Sequence, residues 1–105
     1  MIPTLYADAN ISLASSLEAA MVPHALAAFT TPAPAPAWAE SAFDGRRAYI
    51  RTLDDQCNPL FIQDIWLKKT GVSWDIVDLK TSHCPFISYP EELVATTLSL
   101  IEKWH

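Results

Sequence analysis

Two side chains of this sequence are suited by type and order to move a proton, Asp55 and His83. A histidine that acts as a general base needs a partner that fixes its tautomer and stabilises its cationic form, and a buried carboxylate does both. Asp55 follows the strand-like run Ala48-Tyr49-Ile50-Arg51-Thr52, and His83 follows a second run from Val72 to Leu79. The stretch between them has room for one helix and one strand. Both loops therefore open at the same end of a parallel sheet, the end at which open α/β sheets bind ligands. Spacing alone leaves a second reading open, because Asp54 and Asp55 follow a strand and aspartates are common in turns. Asp54 reads as the turn residue.

The other candidates carry less. Cys84 sits beside His83, but adjacent residues rarely aim their side chains at each other productively, and Pro85 stiffens the segment. Ser82 fails as a nucleophile for the same reason. A metal site built from Cys57, His83 and Cys84 lacks a closely spaced ligand pair, so no metal and no cofactor are expected. His24 follows Pro23 in an alanine-rich stretch and reads as a surface or cap residue. His105 is terminal and reads as frayed.

Three zones position these residues. In residues 1–29, Asn10 can cap a helix over Ile11 to Met21, Pro23 interrupts it, and His24 to Phe29 can form a short second one. In residues 30–45, the alternation Pro32-Ala33-Pro34-Ala35-Pro36 favours a stiff extended connector, either a plain linker or a tether between a small cap and the main unit. Residues 46–105 read strand, loop, helix, strand, loop, helix. Leu53 to Asn58 is a polar turn, Pro59 opens a helix that runs to about Thr70, and Gly71 stops it. Ile62, Ile65 and Trp66 should share its buried face. The second strand carries Trp74, Ile76 and Leu79, with a mixed pattern that fits a sheet edge. The last helix starts on the capping box Ser88-Tyr89-Pro90-Glu91 and buries Leu93, Thr97, Leu98, Ile101 and Trp104. On that reading, Ser88→Ala costs about 1 kcal/mol.

The totals bound the function. The chain has 105 residues, half of them apolar, so it is one small domain at most and not a disordered acidic tail. A net charge of −5 without a basic block argues against a nucleic-acid partner. No uncharged apolar run approaches the roughly 20 residues of a membrane span. No basic residue precedes the N-terminal apolar stretch, and Asp8 comes early, so no secretion signal is expected and a cytoplasmic location is. The two cysteines, Cys57 and Cys84, are then expected as free thiols.

The run Tyr49-Ile50-Arg51-Thr52-Leu53-Asp54-Asp55 with Pro59 and Gln63, and the run Thr81-Ser82-His83-Cys84-Pro85-Phe86-Ile87-Ser88-Tyr89-Pro90-Glu91-Glu92-Leu93, resemble the C-terminal part of the α/β-hydrolase superfamily. The branch they resemble is that of the hydroxynitrile lyases and plant methylesterases, with its fungal and bacterial relatives. Leu5-Tyr6-Ala7-Asp8 and Pro23-His24-Ala25-Leu26-Ala27-Ala28-Phe29-Thr30-Thr31-Pro32 are similar to the start and end of the cap segment of such proteins. The implied fold is α/β: a parallel strand-helix-strand-helix unit over 46–105, preceded by a partial helical cap and connector over 1–45. The resemblance makes Asp55 the triad acid and His83 the triad histidine, and places Trp38 and Phe86 at the pocket mouth.

The family's Gly-x-Ser-x-Gly elbow has no counterpart, since Gly45 and Gly71 are the only glycines. The resemblance thus implies a truncated relative of serine hydrolases that act on small esters, lactones or similar carbonyl compounds, inactive alone. Alternatives are one half of a split hydrolase, a non-catalytic binding protein, and a cyclase or isomerase with His83 as base. Two parallel strands cannot cover their own flanks. The expected partner is accordingly a subunit that supplies further strands, or a second copy at the exposed sheet edge.

Overall fold

The computed structural model describes all 105 residues. Three short helices come first: α1 (Ile2–Leu5), α2 (Ile11–Ala19) and α3 (Ala27–Thr30). A β-α-β unit follows, β1 (Ala48–Thr52), α4 (Leu60–Thr70) and β2 (Asp75–Leu79), and then α5 (Pro85–Ser88) and α6 (Pro90–Lys103). The strands pair in parallel, Ala48 opposite Asp75 through Thr52 opposite Leu79. This is a generic α/β topology, a β-α-β motif preceded by helices.

The local signals act largely as their chemistry requires. The Asn10 side chain accepts the N–H groups of Ser12 and Leu13, capping α2. Gly71 ends α4 at φ 69°, a left-handed conformation that a Cβ would strain. Pro59 stands one residue before the helix, at its N-cap, because its ψ of 149° is still extended. Helix α2 stops at Ala19, two residues short of Met21, and the second short helix begins only at Ala27. Trp74 precedes β2 and is not part of it.

Three expectations need correction. First, residues 37–45 are not a free connector. Two tight helical turns, Ala37–Ala39 and Ser41–Phe43, wrap the buried Arg47, which donates to the Trp38 and Glu40 carbonyls and to Asp44. Only Pro32 to Pro36 are left irregular. Second, Ser88 caps nothing. Its hydroxyl donates to the Cys84 carbonyl at 3.5 Å, Tyr89 takes the N-cap position of α6, and no side chain caps that end. The short helix α5 consumes Ser88 before α6 begins. Ser88→Ala should therefore leave the unfolding free energy within about 0.5 kcal/mol of the parent chain, as for other substitutions away from such features, in a urea titration.

Third, the apolar stripes turn only in part toward the sheet: Ile62, Leu93 and Trp104 are half-buried, and the other residues expected there are exposed. On α4 the inward positions are Leu60, Ile62, Gln63, Leu67 and Thr70, while Ile65 and Trp66 are 44% and 49% exposed. On α6 the inward positions are Leu93, Thr96, Leu100 and Trp104, and Thr97, Leu98 and Ile101 are exposed. The cause is the width of the sheet. Helices of an α/β layer bury one face on several strands and their flanks on each other, and two strands give each helix little more than a line of contact.

The whole molecule carries the same signature. Only Ala14, Leu79, Cys84 and Pro85 are buried apolar residues. The accessible surface is 7474 Å², against roughly 5,800 Å² for a compact monomer of this mass. The radius of gyration is 15.8 Å, against roughly 13 Å for a compact domain of this length. No helix is long and apolar enough to cross a membrane.

A candidate acid–histidine relay

The parallel ladder continues past both strands. Leu53 donates its N–H to the Leu79 carbonyl at 2.9 Å, and Asp54 donates to Thr81 at 3.1 Å. These bonds zip the two following loops together and bring Asp55 beside His83. The His83 Nδ1 lies 2.9 Å from Asp55 Oδ2 and 3.1 Å from Oδ1. The Asp55 side chain is 3% exposed and that of His83 is 30% exposed. A sequestered carboxylate against a ring that still reaches solvent fits an orienting acid and a working base.

Asp55 is held from all sides. Its Oδ1 accepts the N–H groups of Cys57 and Asn58, each at 2.8 Å, and its Oδ2 accepts the Thr52 hydroxyl at 2.7 Å. Burial pushes the carboxyl up. The hydrogen bonds from Asn58, His83, Thr52 and Cys57 outweigh it and hold the group below the ordinary carboxylate range. Asp55 is thus ionised at neutral pH. An ionised Asp55 selects the His83 tautomer with its proton on Nδ1 and leaves Nε2 as a free base. No serine or cysteine is hydrogen-bonded to that second nitrogen.

Gln63 supports the acid loop. It is 1% exposed, in the first turns of α4. Its Oε1 accepts the Thr52 N–H at 3.1 Å, and its Nε2 donates to the carbonyls of Thr52 at 2.9 Å and Asn58 at 2.8 Å. The N–H and C=O of Thr52 point away from β2, toward the open edge of β1. The Gln63 amide meets both, as the backbone of a neighbouring strand would. Residue types and spacing did not mark this role for Gln63, nor that of Thr52. The available signal was a lone glutamine among apolar residues early in a helix that follows the acid turn.

A groove of about 480 Å³ runs over the pair, lined by Tyr49, Ile50, Asp55, His83, Phe86 and Leu93. Phe86 borders this groove. Trp38 does not: it packs on Trp74 with ring centres 5.7 Å apart, by the start of β1 and the far end of the sheet. A cleft of about 510 Å³ between β2 and α6 holds only the surface pair Asp75–Lys103.

Cys57 and Cys84 are free thiols. Burial, with Asp55, Cys57 and Asp8 nearby, pushes the Cys84 thiol up, which opposes a thiolate nucleophile. No group of three or more His, Cys, Asp or Glu side chains is arranged to hold a metal ion. Asp54 stays exposed in the turn, His24 packs its ring against Phe29 at the surface, and His105 is exposed. Comparison with models of protein families, with curated proteins and with solved structures found no match to this chain. The fold and the pair define a small α/β domain with an Asp–His couple at the C-terminal end of its strands.

Proposed function

We propose that this chain supplies the acid and the general base of an α/β-hydrolase-type relay for small ester, lactone or related carbonyl substrates. Asp55 orients and charges against His83, and His83 Nε2 takes a proton from a serine contributed by polypeptide outside these 105 residues. The observation that carries the reading is the 2.9 Å contact between a buried, multiply hydrogen-bonded Asp55 and a part-exposed His83. Four separate groups converge on the Asp55 carboxylate, which supports a built pair over a turn aspartate near a chance histidine.

Its incompleteness supports the same reading. The missing nucleophile coincides with an open β1 edge and with apolar faces on α4 and α6 that have no cover. The excess surface, about 1,600 Å² over a compact monomer, is what one side of an obligate interface buries. The chain alone is therefore inert and not content as a monomer. Sedimentation should show self-association that grows with concentration, and the melting temperature should rise with concentration as mass action requires. A monomer with a cooperative, concentration-independent melt would remove the need for a partner.

The direct test is hydrolysis of an activated aryl ester, with a fluorophosphonate probe for an activated serine. The purified chain should take no label, and His83→Ala should not change the background rate. Serine-dependent turnover by the chain itself would overturn the inert part of the proposal. Absence of a hydrogen-bonded His83 Nδ1 proton in the NMR spectrum would overturn the relay.

A further inference from the structure

Asp8 lies in the turn between α1 and α2, yet its partner is 74 residues away. One carboxylate oxygen accepts the Ser82 N–H at 2.7 Å, and the other accepts the Ser82 hydroxyl. Ser82 is 1% exposed. These two hydrogen bonds join residues 1–31 to residues 46–105. Burial pushes the Asp8 carboxyl up, and the bonds from Ser82, with smaller contributions from the Ser88 hydroxyl and the Asp8 N–H, outweigh it and keep the group low. An ionised acceptor makes both bonds charge-assisted, the stronger class.

The place where Asp8 acts gives the contact its meaning. The Ser82 N–H and the Thr81 carbonyl belong to one rigid peptide unit. Its carbonyl end is held by the Asp54 N–H, from the acid loop, at 3.1 Å. Its N–H end is held by Asp8. With both ends of that plane held, and the Ser82 side chain held as well, the Ser82 Cα is set in place, and the Thr81 hydroxyl, which donates to the Ser82 carbonyl at 3.2 Å, orients the bond that leads to the next residue. The next residue is His83. Lifting residues 1–31 off the sheet unit frees one end of the plane and leaves the histidine loop tied on the acid side alone.

We infer that Asp8 is a positioning residue for His83, so that docking of the N-terminal helical segment and alignment of the histidine on Asp55 are a single event. The inference rests on the relay reading given above and adds a gate to it: the general base is presented in working geometry only while the N-terminal helical segment is seated on Ser82. Asp8 touches no reacting atom. Its action passes through Ser82.

The experiment is NMR on the 105-residue chain, comparing the parent with Asp8→Ala, Asp8→Asn and Ser82→Ala. Two signals are followed, the exchange rate of the Ser82 amide and the downfield Nδ1 proton of His83, with the amides of the β1–β2 ladder as a fold control. Asp8→Ala should speed Ser82 amide exchange by about tenfold or more, since its protecting acceptor is gone. It should also broaden or abolish the His83 Nδ1 signal, with ladder protection unchanged. Asp8→Asn keeps one acceptor oxygen and should restore part of both signals. Ser82→Ala keeps the backbone bond and should shift both in the same direction by less, which decides the matter even if Asp8→Ala fails to fold. Faster Ser82 exchange with an unmoved His83 signal would make Asp8 a mere tether and overturn this inference while leaving the relay standing. A parent chain with no Nδ1 signal would overturn the relay itself.

Discussion

Gln63→Leu should cost about 2–6 kcal/mol of unfolding free energy, because the two buried backbone groups of Thr52 lose their partners at about 1–3 kcal/mol each, and the half-buried Asn58 carbonyl loses one as well. Leucine is close to glutamine in volume, so no large cavity opens, and the loss is polar. The groups left behind are the Thr52 N–H, the Thr52 carbonyl and the Asn58 carbonyl. Water does not restore them readily, since Thr52 is itself buried. A domain of this size has about 5–15 kcal/mol of stability in total, and so small a buried apolar core places this one at the low end. The variant should therefore unfold near room temperature, or its acid loop should detach from α4. Gln63→Glu separates the polar account from simple packing. A carboxylate can still accept from Thr52 N–H but cannot donate to either carbonyl, so it should be at least as damaging as leucine. The check is urea unfolding followed by tryptophan fluorescence. A loss below about 1 kcal/mol for Gln63→Leu, the scale of one ordinary hydrogen bond, would show that the amide bracket is not what holds the Asp55 loop.

The elements that local chemistry decides were legible in the sequence. Ala48–Thr52 is a strand as its composition implies, Asn10 caps its helix, Gly71 ends α4, and the strands pair in parallel. The proximity of Asp55 and His83 was legible too, because one helix and one strand between two loops leave the loops little choice of where to open. What was not legible depends on neighbours. Ile65, Trp66, Leu98 and Ile101 have the spacing of buried stripes, and periodicity cannot say whether a surface exists to bury them. Ser88 has the sequence of a capping box, but a short helix immediately upstream uses the residue before the long one can. Gln63 and Asp8 escaped because their importance lies in backbone groups, the edge of β1 and the 81–82 peptide unit, that residue types do not mark. Trp38 went to the wrong end of the sheet because Arg47 folds the connector back onto the start of β1.

Asp55 offers the largest separation between structure and chemistry. Asp55→Ala removes the acceptor of the Thr52 hydroxyl and of the Cys57 and Asn58 N–H groups, and should destabilise by about 3–5 kcal/mol, in the range for breaking a buried charged network. Asp55→Asn should be far milder, about 1 kcal/mol. Its amide oxygen still accepts from Cys57 and Asn58, while its NH₂ donates to the Thr52 hydroxyl and to His83. That donor reverses the imidazole: Nδ1 becomes the acceptor and the proton moves to Nε2. Nitrogen chemical shifts of His83 should therefore exchange between parent and Asp55→Asn with little loss of fold. In any assembly that provides the serine, the reversed ring cannot take its proton, and the rate should fall by about 10⁴, as it does for the same exchange in a serine protease. The pH dependence follows from the depressed Asp55 value. A carboxyl held lower in the folded chain than in the unfolded one adds stability that is fully present above the unfolded value, about 3.9. That stability is lost as pH falls through the folded value. The stability gap between parent and Asp55→Asn should hold from pH 7 down to about 5 and then close in the acid range. A gap that stays constant to the acid limit, or nitrogen shifts that do not exchange, would mean that the Asp55 carboxylate does not set the state of His83.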